Sequence, residues 1–287
     1  MVAKDRKLFK RSLRRAQSSR GTGRNAESPG DCVFQTPAYN SHMEDKKLVI
    51  VPLFNEEKTI VPVLKELRRS YGGDVLVVDD GSTDNSSARV KECTDCSVEL
   101  FKHDLNVGYG AALISGFTYA LENGYQKIVT MDCDWQHEPA LVADFFKALD
   151  SSDVVSGSRY LQDVDVRGET PVERREVNKL ITAEIRERLK LEITDAFCGF
   201  KGYRAEVLRA LELSEVGYAF PLQVWAQIAR EGFSVSELAV PRVYLDHTRS
   251  FGQEIDDPQV RLKYYREVLN RSIHDLKDSP MASSRSA

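Results

Sequence analysis

The sequence predicts a doubly wound, mainly parallel α/β sheet with flanking helices. From Leu48 onward, short runs of almost continuous apolar residues alternate with stretches of helical periodicity. A strand that is covered on both faces is apolar at nearly every position, because neither face meets water. Strict alternation of strand and helix is typical of a parallel sheet. Polar clusters also follow the apolar runs directly, which is where such sheets bind ligands.

Five strands are predicted along the chain: Leu48–Leu53, Val75–Val78, Val98–Phe101, Ile128–Met131 and Val154–Val155. Asn55 suits the N-cap of the helix after the first strand, and Asp84 suits the cap of the next helix. A third helix is predicted from Tyr109 to Asn123. Pro139 is tolerated in a first helical turn and is expected to open a helix that reaches Leu149. A further helix is predicted from Val172 to Lys190.

Charge is distributed unevenly and divides the chain into three segments. The first 24 residues carry nine basic side chains and one carboxylate, a net charge of +8, so the remainder carries −12 of the total of −4. Residues 1–45 lack an apolar period and are predicted to be a disordered basic arm, either solvated or held at an anionic membrane surface. Residues 46–272 are predicted to form the folded domain, and residues 273–287 a flexible C-terminal tail.

Composition excludes several classes of protein. An acidic folded part argues against nucleic-acid binding, because phosphate neutralisation dominates that affinity. No apolar run reaches the ~18 residues of a membrane span, and the N-terminus lacks the apolar core of a signal peptide. We therefore expect a cytoplasmic protein, at most peripheral on the cytoplasmic membrane face. The five cysteines are expected to be reduced; Cys93 and Cys96 have the spacing of a redox or zinc motif, but no second pair completes a site.

Polar side chains cluster where four of the predicted strands end. The clusters are Asn55–Glu57, Asp79–Asp84, Asp132–His137 and Gly157–Arg159. Carboxylates crowded at one edge of a sheet repel each other unless a cation lies among them, and oxygen ligands of this kind suit Mg²⁺ or Mn²⁺ bridging substrate phosphates. The sequence lacks a P-loop and lacks a dinucleotide glycine motif after the first strand, which disfavours kinases, ATPases and dehydrogenases.

Five motifs occur in an order and spacing that resemble family 2 glycosyltransferases: VPLFNEE, VVDDGSTD, NVGYGAAL, MDCDWQHEP and SGSRY. The resemblance covers about residues 46–270 and is strongest to dolichyl-phosphate mannose or glucose synthases. It implies a GT-A fold and a metal-dependent, inverting enzyme. Such an enzyme moves a hexose from a GDP- or UDP-linked sugar to an acceptor, here expected to be a polyprenyl or dolichyl phosphate. The basic arm is the expected site of peripheral membrane contact.

The same resemblance implies roles for individual residues. The metal, Mg²⁺ or Mn²⁺, is expected at Asp132, Asp134 and Gln136. Arg249 lies in a segment similar to a C-terminal loop that closes over the diphosphate. The remaining residues expected near the nucleotide, with Asp132 shared between nucleotide and metal, are Pro52, Asn55, Glu57, Asp79, Asp80, Gly108 and Gly110.

The resemblance also implies that Arg159 and Arg174 grip phosphates, either those of the donor diphosphate or that of a phosphorylated acceptor, with Arg175 as a rival to Arg174. Asp195 is expected near the acceptor, as a general base for a hydroxyl or as an orienting group for a phosphate. Cys198 and Lys201 replace the serine and arginine that the family uses there, and Cys198 is expected to be a small packing residue.

Some alternatives stay open in the sequence. His137 is expected to cap the helix that Pro139 opens rather than bind metal, and Trp135 either lines the sugar pocket or packs beneath its loop. The acceptor is a lipid phosphate or, alternatively, a soluble or polysaccharide hydroxyl. A nucleotidyltransferase and a non-catalytic sugar-nucleotide-binding module are the rival classes.

Overall fold

The computed structural model describes residues 46–161, 164–244 and 255–278, with side chains described up to residue 275. The predicted basic arm and Arg249 lie outside the described residues. In the described ranges, no helix is long and apolar enough to cross a lipid bilayer.

A central sheet of seven strands runs in the order β3-β2-β1-β4-β7-β5-β8, and β6 pairs with β9 in a small second sheet. The strands are β1 (Lys47–Leu53), β2 (Asp74–Asp79), β3 (Glu99–Lys102), β4 (Lys127–Thr130), β5 (Val154–Ser158), β6 (Val166–Arg167), β7 (Lys201–Arg204), β8 (Val235–Ala239) and β9 (Arg242–Val243). All five predicted strands are present, and the prediction of a mainly parallel α/β sheet is confirmed.

Helices cover both faces of this sheet. They are α1 (Ile60–Ser70), α2 (Ser86–Glu92), α3 (Tyr109–Glu122), α4 (Val142–Ala148), α5 (Val172–Leu189), α6 (Ala205–Ala210), α7 (Phe220–Glu231) and α8 (Pro258–Asp278). Alternate residues of β1 enter opposite cores: Ile50 belongs to the core that contains Phe117 and Trp225, whereas Val51 belongs to the core that contains Phe145. Burial on both faces therefore accounts for the continuous apolar run of this strand.

One strand runs against its neighbours. β7 pairs antiparallel with both β4 and β5, so that Lys201, its first residue, lies opposite Thr130 and Ser156. The loop that enters β7 consequently reaches the edge where β4 and β5 end. The hydroxyl of Thr130 donates a 2.7 Å hydrogen bond to the carbonyl of Gly199 in that loop.

Several local predictions need correction. Asn55 is not an N-cap: it has a positive φ of 55°, and α1 begins five residues later at Ile60. Asp84 does hold the start of α2, because its carboxylate accepts a 2.9 Å hydrogen bond from the amide of Ser86. Pro139 opens a 3₁₀ turn, and α4 itself begins at Val142. α8 continues to Asp278, into the segment predicted as a flexible tail.

The prediction of reduced cysteines is wrong for one pair. Cys93 and Cys96 form a disulfide, with their Cα atoms 5.4 Å apart. The pair closes the 3₁₀ turn between α2 and β3. Cys133 and Cys198 are both reduced and buried.

Candidate active site

A cavity of about 690 Å³ opens where β1, β2, β4 and β5 end, and its size is typical of a small-molecule site. Eight of the predicted site residues line it: Pro52, Asp80, Gly108, Asp132, Asp134, Gln136, Arg159 and Arg174. Five others lie outside the lining: Asn55, Glu57, Asp79, Gly110 and Asp195. The sheet therefore brings most of the predicted residues together, and the others have different local roles.

Asn55 and Glu57 join the loop after β1 to the loop after β2. The side-chain oxygen of Asn55 accepts hydrogen bonds from the amides of Thr83 (2.9 Å) and Asp84 (3.3 Å). The amide of Glu57 donates to the carboxylate of Asp84 at 3.1 Å, and the carboxylate of Glu57 accepts from the amide of Asn85 at 3.1 Å. These contacts fix the two loops relative to each other, so both residues shape the cavity from outside it.

Asp79 is fully buried beneath the same loops. Its carboxylate accepts from the amide of Ser82 at 2.7 Å and from the hydroxyl of Ser87, and it pairs with Lys102 at 3.2 Å. Burial alone would raise the pKa of Asp79, but these hydrogen bonds lower it below its ordinary value. Asp79 is therefore a charged anchor for the loop.

Asp80 lines the cavity while holding the loop before α3. Its carboxylate accepts from the amides of Val107 (3.1 Å) and Gly108 (2.7 Å) and lies 2.6 Å from Nδ1 of His103. The other ring nitrogen of His103 lies 2.8 Å from the hydroxyl of Ser115. His103 is a support that sequence reasoning missed, although its position directly after β3 is a signal that was available.

The two glycines of this loop pack against protein backbone. A Cβ at Gly108 or Gly110 would lie 2.3 or 2.4 Å from the carbonyl oxygens of Val216 and Glu215, respectively. The amide of Gly110 donates to the carbonyl of Val216 at 2.8 Å. The close approach at Gly110 is thus to the loop before α7, and not to the cavity.

Asp132 and Asp134 follow β4, and both are partly accessible from the cavity. The hydroxyl of Tyr109 donates to Asp132 at 3.1 Å, and the amide of Gln136 donates to Asp134 at 3.0 Å. The described residues contain no cluster of three or more His, Cys, Asp or Glu side chains that would hold a metal unaided. Mg²⁺ and Mn²⁺ commonly use one or two carboxylates together with substrate phosphates, so this donor set fits such an ion.

His137 has a different role from the predicted helix cap. The amide of Asp132 donates a 2.9 Å hydrogen bond to its Nδ1, and its ring stacks on Phe200 at 5.1 Å. Burial lowers the pKa of His137 to about 4, so the ring is neutral at pH 7 with its proton on Nε2. Nε2 lies 3.9 Å from the sulfur of Cys198. His137 therefore positions the backbone of Asp132. Trp135, for comparison, is 37% exposed and lies outside the cavity lining.

Asp195 is fully buried and forms a two-point ion pair with Arg159, at 2.7 and 2.9 Å. The amide side chain of Asn178 also donates to it at 2.7 Å. Burial alone would raise the pKa of Asp195, but Arg159 and Asn178 lower it to about 2. A carboxylate with this pKa and these partners is a poor proton acceptor, so the geometry favours the orienting role over the general-base role.

The loop before β7 lies directly against Asp132 and Tyr109. A Cβ at Gly199 would lie 2.7 Å from a carboxylate oxygen of Asp132 and 2.7 Å from the hydroxyl of Tyr109. Cys198 and Lys201 are both buried and lie outside the cavity lining. Cys198 and Lys201, the two departures from the family pattern, therefore change the packing behind the cavity and leave its lining unchanged.

The basic part of the cavity is formed by Arg159, Arg174 and Arg261. Arg159 directly follows β5, and the other two arginines lie on helices. Arg174, in the first turn of α5, lines the cavity, whereas its neighbour Arg175 is exposed and does not. Arg261 of α8 also lines it and is only 3% exposed. Sequence reasoning missed Arg261, since no motif surrounds it. The acidic part of the cavity is formed by Asp80, Asp132 and Asp134. Because β7 lies between β4 and β5, the end of β4, which Asp132 follows, is about 10 Å (two strand spacings) from the end of β5, which Arg159 follows.

The sequence is similar to those of known glycosyltransferases. The family model described as "Glycosyl transferase family 2" matches residues 48–212. The undecaprenyl-phosphate mannosyltransferase of Micrococcus luteus is 33% identical over 199 residues, which cover 67% of this chain and 82% of that protein. The polyprenol monophosphomannose synthase of Mycolicibacterium smegmatis is 32% identical over 203 residues, covering 68% and 76%.

A solved structure shares the fold. Glucosyl-3-phosphoglycerate synthase from Mycobacterium tuberculosis, in complex with Mn²⁺, UDP and glucosyl-3-phosphoglycerate, superposes with a TM-score of 0.62 at 17% identity. The match covers 88% of this chain and 90% of that chain. The GT-A fold expected from the sequence motifs is confirmed.

Proposed function

Because the chain belongs to glycosyl transferase family 2 and is therefore a glycosyltransferase, we propose that it transfers a hexose from a GDP- or UDP-linked sugar to a polyprenyl phosphate. The transfer is a single displacement that inverts the anomeric carbon. The observation that carries this proposal is the presence, in one cavity, of the carboxylate pair Asp132 and Asp134 together with Arg159 and Arg174. Carboxylates suit a metal-bound diphosphate, and guanidinium groups suit the phosphate of an acceptor.

The acidic part of the cavity binds the donor. Asp132 and Asp134, with Gln136 beside them, would hold Mg²⁺ or Mn²⁺, which when bound neutralises charge on the departing diphosphate. Tyr109 and His137 keep Asp132 in place through the hydrogen bonds to its carboxylate and its amide. The loop that Asp80 holds forms the nucleoside end of the cavity.

The basic part binds the acceptor. Its phosphate oxygen is an anion and attacks the anomeric carbon without first losing a proton, so the reaction needs no general base. Asp195, which is buried and bound to Arg159, is suited to orienting that guanidinium. Arg159 and Arg174 then bind the phosphate oxygens through their planar donor groups. The names of the two mannosyl-transferring relatives support the same acceptor class here.

The test begins with donor binding. Thermal unfolding of the full chain is measured with GDP-mannose, GDP-glucose, UDP-glucose and UDP-N-acetylglucosamine, each with Mn²⁺ and with EDTA. We expect one nucleotide to raise the melting temperature only when metal is present. Failure of every nucleotide to do so contradicts the donor and metal proposals together.

The acceptor is tested with the donor that binds. Radiolabelled sugar is incubated with farnesyl phosphate, farnesol and a soluble glycan, and label is measured in each product. We expect transfer to farnesyl phosphate, with an anomeric configuration, determined by NMR, opposite to that of the donor. Transfer to farnesol or the glycan alone, or retention of configuration, contradicts the acceptor or the mechanism separately from the donor result.

A further inference from the structure

Lys201, the first residue of β7, is a buried cation to which the mechanism above gives no role. Its side chain is 3% exposed and lies behind the cavity, outside the lining. The ammonium group donates a hydrogen bond to the backbone carbonyl of Cys198 and lies over the ring of Trp225, 5.0 Å from the ring centre. Burying an ammonium group is costly, and these two contacts offset part of that cost. The carbonyl that it binds indicates what this cation does.

The loop before β7, residues 195–200, is held near both ends by side chains from other elements. Near its start, the carbonyl of Ala196 accepts a 2.9 Å hydrogen bond from the indole of Trp225 in α7. Near its end, the carbonyl of Gly199 accepts the 2.7 Å hydrogen bond from β4 described above. Lys201 binds the carbonyl between these two points, so its ammonium group fixes how the chain turns from Ala196 to Gly199.

The charge of Lys201 lies among other buried charges of both signs. Burial lowers the pKa of Lys201, whereas the negative charges of Asp195 and Glu237 act to raise it. Burial acts to raise the pKa of Asp195, and Arg159 together with Lys201 acts to lower it. A neutral side chain in place of Lys201 would therefore change this balance and also remove a hydrogen bond. A test of the hydrogen bond consequently needs a second variant that keeps the charge.

Gly199 links this turn to the donor side of the cavity. A Cβ at Gly199 would lie 2.7 Å from a carboxylate oxygen of Asp132 and 2.7 Å from the hydroxyl of Tyr109, which donates to the same carboxylate. Because packed atoms cannot interpenetrate, even a small shift of Gly199 towards the cavity would displace Asp132. Removal of a group that orients a metal ligand commonly lowers metal affinity or activity about ten- to hundredfold.

We infer that Lys201 is a positioning residue, which through the Cys198 carbonyl keeps Gly199 in the place against which the carboxylate of Asp132 packs. The inference rests on the proposed function and deepens it, because it adds a residue of β7 to those that determine how the donor is held. Lys201 lies outside the cavity lining, so it acts through the loop and not by contact with a substrate. Its loss should therefore affect metal-dependent donor binding and turnover, and leave the acceptor KM nearly unchanged.

The experiment compares Lys201→Met and Lys201→Arg with a matched control, Lys127→Met. Lys127 is also a buried lysine that begins a strand, with 7% of its surface exposed. It pairs with Asp150 at 2.6 Å, at the end of β4 that lies away from the cavity. Lys201→Arg keeps the positive charge and a hydrogen-bond donor, and arginine is the residue that the family pattern has at this position.

Two measurements separate positioning from stability. Calorimetry gives the dissociation constant of GDP or UDP, matching the donor that binds, with Mn²⁺ and with EDTA, and the ratio of the two reports how much the metal contributes. Initial rates give kcat and the KM for farnesyl phosphate at saturating donor. We expect Lys201→Met to lower both the metal-dependent ratio and kcat about tenfold, and to change the acceptor KM by less than about twofold. Lys201→Arg should recover most of both losses.

The control decides whether the loss is specific. Both methionine variants should be less stable than the unmodified chain, because each removes a buried ammonium group from its partner, but only Lys201→Met should change the metal-dependent ratio and kcat. Equal losses in Lys201→Met and Lys127→Met, or an unchanged ratio in Lys201→Met, overturn the inference. A Lys201→Arg variant that keeps its stability but behaves like Lys201→Met also overturns it.

A measurement without ligands keeps the inference separate from the proposed function. If no nucleotide binds to the unmodified chain, the proposed donor fails, and amide hydrogen exchange then tests Lys201. We expect faster exchange of residues 132–136 in Lys201→Met than in Lys127→Met, because the amides of Asp132 and Gln136 are hydrogen-bonded within that loop. Equal exchange in the two variants overturns the inference. If Lys201→Met does not fold, as judged by urea unfolding, Lys201→Gln replaces it under the same criteria.

Discussion

The acidic part of the cavity is held by hydrogen bonds between neighbouring loops, whereas the basic part depends on how separate helices pack. Asp80 and Asp132 each contact residues of α3 or of the loop that leads into it. Arg174 and Arg261, by contrast, come from helices that begin more than eighty residues apart in sequence. The acidic part, which we propose binds the donor, therefore depends on contacts among segments that are near in sequence, whereas the basic part, which we propose binds the acceptor, depends on the packing of distant helices. Substitutions in the two parts should therefore differ in their effects on turnover, stability and acceptor KM.

The largest expected loss of turnover comes from a substitution in the acidic part. Asp132→Asn keeps the size of the side chain but removes a charge that the bound metal needs, and should lower turnover about a thousandfold. The melting temperature without ligand should stay close to that of the unmodified chain, because Asp132 is partly exposed. Steady-state transfer rates with saturating Mn²⁺ provide the measurement, with exposed Asp144→Asn as the control. Retention of more than a tenth of the activity would argue against a metal at this position.

A substitution beneath the basic part should act first on stability. Asp195→Asn leaves the buried Arg159 without its counter-charge and should lower the free energy of unfolding by about 3–5 kcal/mol at pH 7. The pKa of Asp195 is about 2 in the folded chain, below the unfolded value of about 3.9. Its stabilisation is therefore present above pH ~4 and is lost as the pH falls towards 2.

Urea unfolding followed by the fluorescence of buried Trp225 measures this difference at several pH values. The difference in the free energy of unfolding between Asp195→Asn and the unmodified chain should become smaller between pH 4 and pH 2. A gap that stays constant over this range would mean that the Asp195 carboxylate is not held in its charged form by Arg159.

A smaller effect is expected where the two parts meet. Gly199→Ala introduces a methyl group that must displace the carboxylate of Asp132 or the hydroxyl of Tyr109, each 2.7 Å away. A misplacement of this kind should lower kcat about ten- to hundredfold, with little loss of stability. Gly72→Ala is the matched control, because a Cβ there meets no atom within 4 Å. Equal kcat values for the two variants would show that the position of Asp132 does not depend on this loop.

The smallest effect distinguishes two adjacent arginines. Arg174→Gln should raise the acceptor KM about tenfold, since it removes a charged donor from the cavity wall. Arg175→Gln removes the same charge from an exposed position and should change KM by less than about twofold. Equal effects of the two substitutions would indicate general electrostatic attraction rather than a contact made by Arg174.

Sequence reasoning succeeded where local pattern and tertiary structure agree. The interior residues of β1, β2 and β4 are almost all apolar because both faces are buried. Carboxylates that follow β2 and β4 directly, Asp80 and Asp132, line the cavity. It failed where contacts between distant segments decide. Asn55 is a residue type that is typical of helix caps, but here it bridges two loops. The sequence of β7, KGYR, lacks the apolar run that predicts a strand. Arg261 belongs to a charged helix in which nothing marks one arginine as buried.

The direction of β7 has a consequence for how this enzyme could diversify. A segment that enters an antiparallel strand reaches the same rim as segments that leave parallel ones. Residues 194–200 therefore reach a cavity whose lining carboxylates all precede residue 138, and under the proposed function they belong to its acceptor side. The two stretches of sequence meet along the β4–β7 pairing, where Gly108 and Gly110 pack against the loop before α7, and where a Cβ at Gly199 would meet Asp132. Under the proposed function, a chimera of two relatives joined in the stretch between α4 and β5 should keep the sugar donor of one parent and take the acceptor of the second, provided that these contacts are preserved.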